Sequence, residues 1–206
     1  MGPEAVPERP AWQAPSDTAP ACREHYPYAL RPMPMHPDLF FVFQPYRSFG
    51  TPSLVRALVE ASGQVAKQFP DADPIFIGDL STYRGGALPP HRWHHDGRSA
   101  DIGLFAHQGR QPQHGFEPVW SPQLDVEKTW ALIDALLATG KVEHILLDHA
   151  HIRRIKAYLV EQDLLSPDEL LRIFPVGRSP AIWRQRGIVR HAPRHGDHMH
   201  VRVTCE

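Results

Sequence analysis

Two histidine-rich segments stand far apart in the chain: His91-Arg92-Trp93-His94-His95-Asp96-Gly97-Arg98-Ser99-Ala100-Asp101 and His195-Gly196-Asp197-His198-Met199-His200. Imidazole and carboxylate are donors to divalent metals. The set His94, Asp101 and His200 offers two imidazoles and one carboxylate, a mixture zinc accepts at about 2.0–2.2 Å. Three protein ligands leave a fourth position for water, whose pKa falls to about 7 beside the metal, so the chemistry in view is hydrolysis. The same donors also form the facial triad of non-haem iron oxygenases, which makes iron the competing metal. Clusters arise by chance in a chain with 14 histidines. His36, His107, His114, His144, His149 and His151 are therefore read as ordinary surface or core residues. His94, Asp101 and His200 are set apart because two separate motifs agree in ligand type and in strand face.

Those three side chains need elements to bring them together. Ser99 to Leu104 alternates as a strand with Ser99, Asp101 and Gly103 on one face, so Asp101 is expected to point away from the apolar core. A turn at Gly97 would fold His94 back over that strand, a place where glycine's freedom is useful. His198 to Thr204 also alternates, with His198, His200 and Arg202 on one face and Met199, Val201 and Val203 on the other. Around these, the spacing predicts a helix over Ser53–Phe69 with Ser53 as cap, and a short buried strand at Pro74–Gly78. It further predicts a helix from Leu124 to Thr139 stopped by Gly140, a strand over Val142–Leu147, and a helix over His151–Gln162. Ser166-Pro167-Asp168-Glu169 reads as a helix start with a capping box. Gly85-Gly86 and Pro89-Pro90 mark a loop leading into the first histidine segment.

At 206 residues the chain has room for one well-buried domain. Residues 1–24, rich in proline among small and polar residues, are expected to form a flexible leader, and 25–206 the single folded domain. No apolar run approaches the roughly 18 residues a membrane span needs, so no insertion is expected. A formal net charge of −1 gives no basic face for nucleic acid. The two cysteines, Cys22 and Cys205, are compatible either with a disulfide, which would imply an oxidising compartment, or with two free thiols. No secretory signal is visible at the start of the sequence. Oligomeric state is not legible.

The pattern His-x-x-His-x6-Asp at His91, His94 and Asp101, together with the ending His-x-x-His-x-His-Val-Arg at His195 to Arg202, resembles the penicillin-insensitive murein endopeptidases. The lysostaphin-type and D-Ala-D-Ala zinc peptidases are more distantly similar. The resemblance runs from about Tyr46 to Cys205 and includes Phe49-Gly50-Thr51-Pro52, Ile77-Gly78-Asp79-Leu80 and Gly85-Gly86. It implies an α+β zinc peptidase, a central antiparallel β-sheet flanked by helices, with Zn2+ on His94, Asp101 and His200. The implied substrate is peptidoglycan stem peptides, at D-alanyl cross-links, and the implied location is periplasmic or secreted with the signal sequence removed. Two positions depart from the family pattern: Ser99, where an acidic residue is frequent, and His95-Asp96, which replaces a more neutral pair.

With no His-Glu-x-x-His helix, the general base must come from elsewhere, and His198 is the choice because it shares a strand face with His200; the alternative is that His198 only orients a ligand or is purely structural. His195 and His91 are candidates to donate hydrogen bonds to an oxyanion or to substrate. Arg98 and Arg84 are candidates for a stem-peptide carboxylate. Asp197 is a candidate to orient His198 or His195, and Asp79 is read only as a turn cap. The rival readings are a carboxypeptidase removing terminal D-alanine, a zinc-containing cell-wall binding module without turnover, and an iron oxygenase.

Overall fold

The computed structural model describes residues 30–91, 93–107, 115–174 and 187–205. The expected leader, Cys22, Arg92 and His114 lie outside the described residues. Eight strands and four α-helices are present among them: β1 Arg31–Pro32, β2 Phe40–Val42, β3 Phe49–Gly50, α1 Pro52–Gln68, β4 Ile75–Ile77, β5 Ser99–Gly103, α2 Val126–Ala138, β6 Val142–Leu147, α3 His149–Glu161, α4 Pro167–Ile173, β7 Val189–His191 and β8 His198–Val203.

A six-stranded sheet runs in the order β2-β4-β5-β8-β6-β7, and β1 and β3 form a separate antiparallel pair. Its four central strands are antiparallel, as expected for the α+β class, whereas both edges are parallel, β2 against β4 and β7 against β6. The sheet is thus mixed. One face is apolar: Ala100, Ile102, Ile145, Met199, Val201 and Val203 meet Leu54, Leu58, Ala61 and Val65 of α1 and Leu132, Ile133 and Leu136 of α2 in one core. Each fully buried Leu or Ile contributes about 1.5–3 kcal/mol relative to exposure.

Caps refine the helix boundaries. Thr51, not Ser53, caps α1: its hydroxyl accepts from Leu54 N at 3.3 Å, and Pro52 takes the first helical position, where no N–H is needed. Asp125 and Asp148 cap α2 and α3 in the same manner, and Ser166 with Glu169 closes the expected capping box on α4. No described helix is long and apolar enough to cross a membrane. Cys205, just past β8, is in a disulfide.

The opposite face of the sheet carries the polar residues. Along β8, Met199, Val201 and Val203 enter the core while His198, His200 and Arg202 point the other way. Asp101 points the same way but is only 1% exposed, with His91 and His94 against it.

Candidate metal centre

Strand pairing sets the first contact. In the β5–β8 ladder Asp101 lies directly opposite His200, and Gly103 opposite His198, so side chains from the two halves of the sequence come within about 5 Å at Cβ. The third side chain arrives through a short 3-10 turn at His94–Asp96, ended by Gly97 in the left-handed region at φ 70°. A Cβ at Gly97 would meet the Leu30 side chain as well as a strained backbone.

The three expected ligands form a tight triangle. His94 Nε2 lies 3.3 Å from Asp101 Oδ1 and 3.2 Å from His200 Nδ1, and His200 Nδ1 lies 2.9 Å from Asp101 Oδ1. All are buried, at 1%, 1% and 5% exposure for His94, Asp101 and His200. His94 Nδ1 donates to the Leu80 carbonyl at 2.8 Å, which leaves Nε2 with a lone pair while the ring is neutral. A lone pair facing a carboxylate oxygen at that distance is repulsive unless a proton or a cation lies between them. Two imidazoles and a carboxylate with donor atoms about 3 Å apart suit a tetrahedral ion with bonds of about 2.0–2.2 Å. The donor set fits zinc.

The electrostatics agree with that fit. Burial would raise the Asp101 carboxyl, yet hydrogen bonds and charge from His200 and His94 hold it well below its ordinary value. Burial pushes His200 down to about 4 against the opposing pull of Asp101, so its ring is neutral at pH 7 and keeps a lone pair to give. His200 Nε2 is buried without a hydrogen-bond partner among the described residues.

The remaining expected residues are distributed as follows. His91 stands beside His94 with ring centroids 4.6 Å apart, its Nδ1 3.5 Å from Asp101 Oδ2, and the donor atoms of His91, His94 and Asp101 all lie within 4.8 Å of one another. His91 therefore competes with His200 as a third donor. His198 turns Nε2 toward the cluster, 3.8 Å from Asp101 Oδ1. Its Nδ1 donates to Asp197 Oδ1 at 2.6 Å, and Phe116 stacks on the ring at 4.7 Å. Asp197 thereby orients His198.

His195 lies 4.8 Å from the His198 ring, and its Nδ1 donates to the Pro193 carbonyl at 2.9 Å. Burial lowers its pKa. The neutral ring thus offers an acceptor at Nε2.

Neither arginine candidate is drawn into the cluster. Arg98 binds Asp96 at 2.9 Å, Glu143 at 3.3 Å and the Val203 carbonyl at 3.3 Å, so its guanidinium is committed to holding the turn against β8 and β6. Arg84 is exposed on the turn before Gly85, away from any contact described for the cluster. The two departures from the family pattern share one network: Asp96 also pairs with Arg202, and Arg202 donates to Ser99 Oγ at 2.9 Å. Burial would raise Asp96, but Arg202 and Arg98 outweigh it and hold it at about 2.

Three participants were not visible in the motifs. Asp79 accepts from His91 rather than merely capping a turn, Leu80 contributes only its carbonyl, and His144, expected to be ordinary, is buried on the site face with its ring stacked 6.4 Å from His200. His144 Nδ1 lies 3.5 Å from Glu143 Oε1, and its Nε2 has no hydrogen-bond partner among the described residues. Asp79 lies in the Ile77-Gly78-Asp79-Leu80 segment, where its acidic side chain was the available signal. A main-chain acceptor leaves no such signal.

An α+β protein with a mixed sheet and a buried His/His/Asp cluster that could hold a metal is the class defined by these observations. Residues 30–206 match the family described as penicillin-insensitive murein endopeptidase. The chain belongs to that family of hydrolases, whose activity is directed at the peptidoglycan of the cell wall. The comparison with curated proteins gives no match.

Proposed function

We propose that this chain is a zinc-dependent endopeptidase that cuts D-alanyl cross-links between peptidoglycan stem peptides, working outside the cytoplasm as one peptidase unit over residues 25–206. The observation that carries this reading is the donor triangle of His94, Asp101 and His200 with the His198–Asp197 pair beside it. Bound there, zinc would supply Lewis acidity, polarising a peptide carbonyl and making water nucleophilic near neutral pH. The chain's own residues do the rest. Asp197 takes the Nδ1–H of His198, leaving a basic Nε2 aimed at the cluster to accept a proton from water and return it to the leaving amine. His195 Nε2 is an acceptor for a substrate N–H, and His91 bridges Asp101 to Asp79.

The test is mass spectrometry of a purified cross-linked muropeptide dimer incubated with the protein as purified, after chelation, and after zinc is restored. Release of monomers that disappears on chelation and returns with zinc is the expected result. Loss of a single terminal alanine would transfer the assignment to a carboxypeptidase, and bound zinc with no product at all would make the chain a binding module. Iron as the only metal that restores a reaction would overturn the zinc reading.

A further inference from the structure

We propose that Asp79, anchored by Arg47, is a positioning residue that fixes the ring orientation of His91 beside the donor cluster. Asp79 Oδ2 lies 3.1 Å from His91 Nε2 and 2.9 Å from Arg47 Nη2. A carboxylate only accepts, so Nε2 must carry the hydrogen. Nδ1 is thereby the atom turned toward the centre, 3.5 Å from Asp101 Oδ2. That second contact is too long to hold the ring by itself. Without Asp79 the imidazole would be free to turn about its Cβ–Cγ bond and exchange a nitrogen for a carbon at the position facing Asp101.

The backbone around Asp79 is built for this task. Gly78 N donates to Asp101 O at 2.9 Å, and Asp101 N donates to Asp79 O at 3.0 Å. The next residue, Leu80, supplies the carbonyl that fixes His94. One tripeptide therefore locks the strand of Asp101 and the rings of both His91 and His94. A Cβ at Gly78 would approach the tip of the Phe116 ring to 2.5 Å, so a larger residue there would have to displace the ring that stacks on His198.

Arg47 closes the frame from the other side. Its carbonyl accepts from Leu80 N at 2.8 Å, and its guanidinium, 18% exposed, spans Asp79 and the Pro89 carbonyl at 3.3 Å. Pro89 opens the turn in which Leu88 bridges to His91. The same guanidinium thus ties the carboxylate to the loop that delivers the imidazole, and it offsets one of the two negative charges flanking that ring. Outer-shell partners of this type commonly change affinity or turnover by about 10–100-fold when removed.

The activity arm of the test rests on the peptidase reading; the spectroscopic arm does not. In the zinc-loaded protein with 15N-labelled histidine, His91 should show a slowly exchanging Nε2–H signal that Asp79→Ala abolishes, with zinc content unchanged. On a cross-linked muropeptide, Asp79→Ala should lower kcat about 10-fold with KM within about 2-fold, and should add no further loss when His91 is already alanine. Should the alanine variant fail to fold, Asp79→Asn keeps the shape and an acceptor but loses the Arg47 ion pair, so the Nε2–H should exchange faster. Persistence of the signal in Asp79→Ala, unchanged exchange in Asp79→Asn, or an equal loss with and without His91 would each overturn the proposal. If the wild-type protein cleaves nothing while the signal behaves as expected, the peptidase reading fails and the positioning role stands.

Discussion

His198 and His200 are two residues apart on one strand face, yet their surroundings give them different work. His200 Nδ1 is enclosed by Asp101 and His94 at 2.9 and 3.2 Å, whereas His198 is oriented from outside by Asp197 at 2.6 Å and reaches Asp101 only at 3.8 Å. His200→Ala should therefore lose bound zinc and turnover together. His198→Ala should keep most of the zinc and lose about 10²–10⁴-fold in turnover, as read by metal analysis alongside muropeptide cleavage. Full turnover in the His198 variant would remove it as the base. At this scale the motifs revealed residue type but not direction. Arg98 stands beside the motif in sequence, yet the Gly97 turn sends it to Asp96 and Glu143. Asp79 sits far from the motif yet touches His91. Spacing within a segment carries no information about which loop will cover it.

The turn from His94 to Asp96 is held to β8 by charge as much as by packing. Asp96 is the hub, accepting from Arg98 at 2.9 Å and from Arg202 NH1 at 3.1 Å. Its carboxyl falls from an ordinary 3.8 to about 2. A carboxylate with a depressed folded-state pKa stabilises the fold above its unfolded value, and that contribution is lost as pH falls from about 4 to about 2. The shift corresponds to about 2 kcal/mol, reduced to roughly 1–2 kcal/mol by solvent screening of a partly exposed group. In urea titrations Asp96→Asn should be less stable than wild type by about that much at pH 6, with the gap closing by pH 2. A gap that is constant with pH would show that packing, not charge, holds the turn. Sequence periodicity captured the long helices and the alternating strands β5 and β8, because those patterns are set by burial of one face. The edge strands β2 and β7, three residues each, are too short to show a period. Their pairing is dictated by the sheet they join.

Across the whole molecule, the donor cluster converges segments separated by 99 residues, from Asp101 to His200, so a bound ion acts as a tie between distant parts of the chain. A ligand present at 100 times its Kd stabilises the folded state by about 2.7 kcal/mol. For a protein of this size that corresponds to a rise in Tm of roughly 5–10 °C on restoring zinc to the chelated protein. Calorimetry showing no shift would argue against a tight site at this cluster. Alternation made β5 and β8 legible as strands, and their antiparallel setting was expected from the family resemblance alone; the strand order was not legible, since it depends on which edges remain open after collapse. That order carries a temporal consequence. β8, later in the chain than every other strand of the sheet, lies between β5 and β6. During synthesis the two halves of the sheet have no strand to join them until β8 emerges, and if His198 and His200 act as proposed, hydrolytic competence can arise only after that strand has emerged.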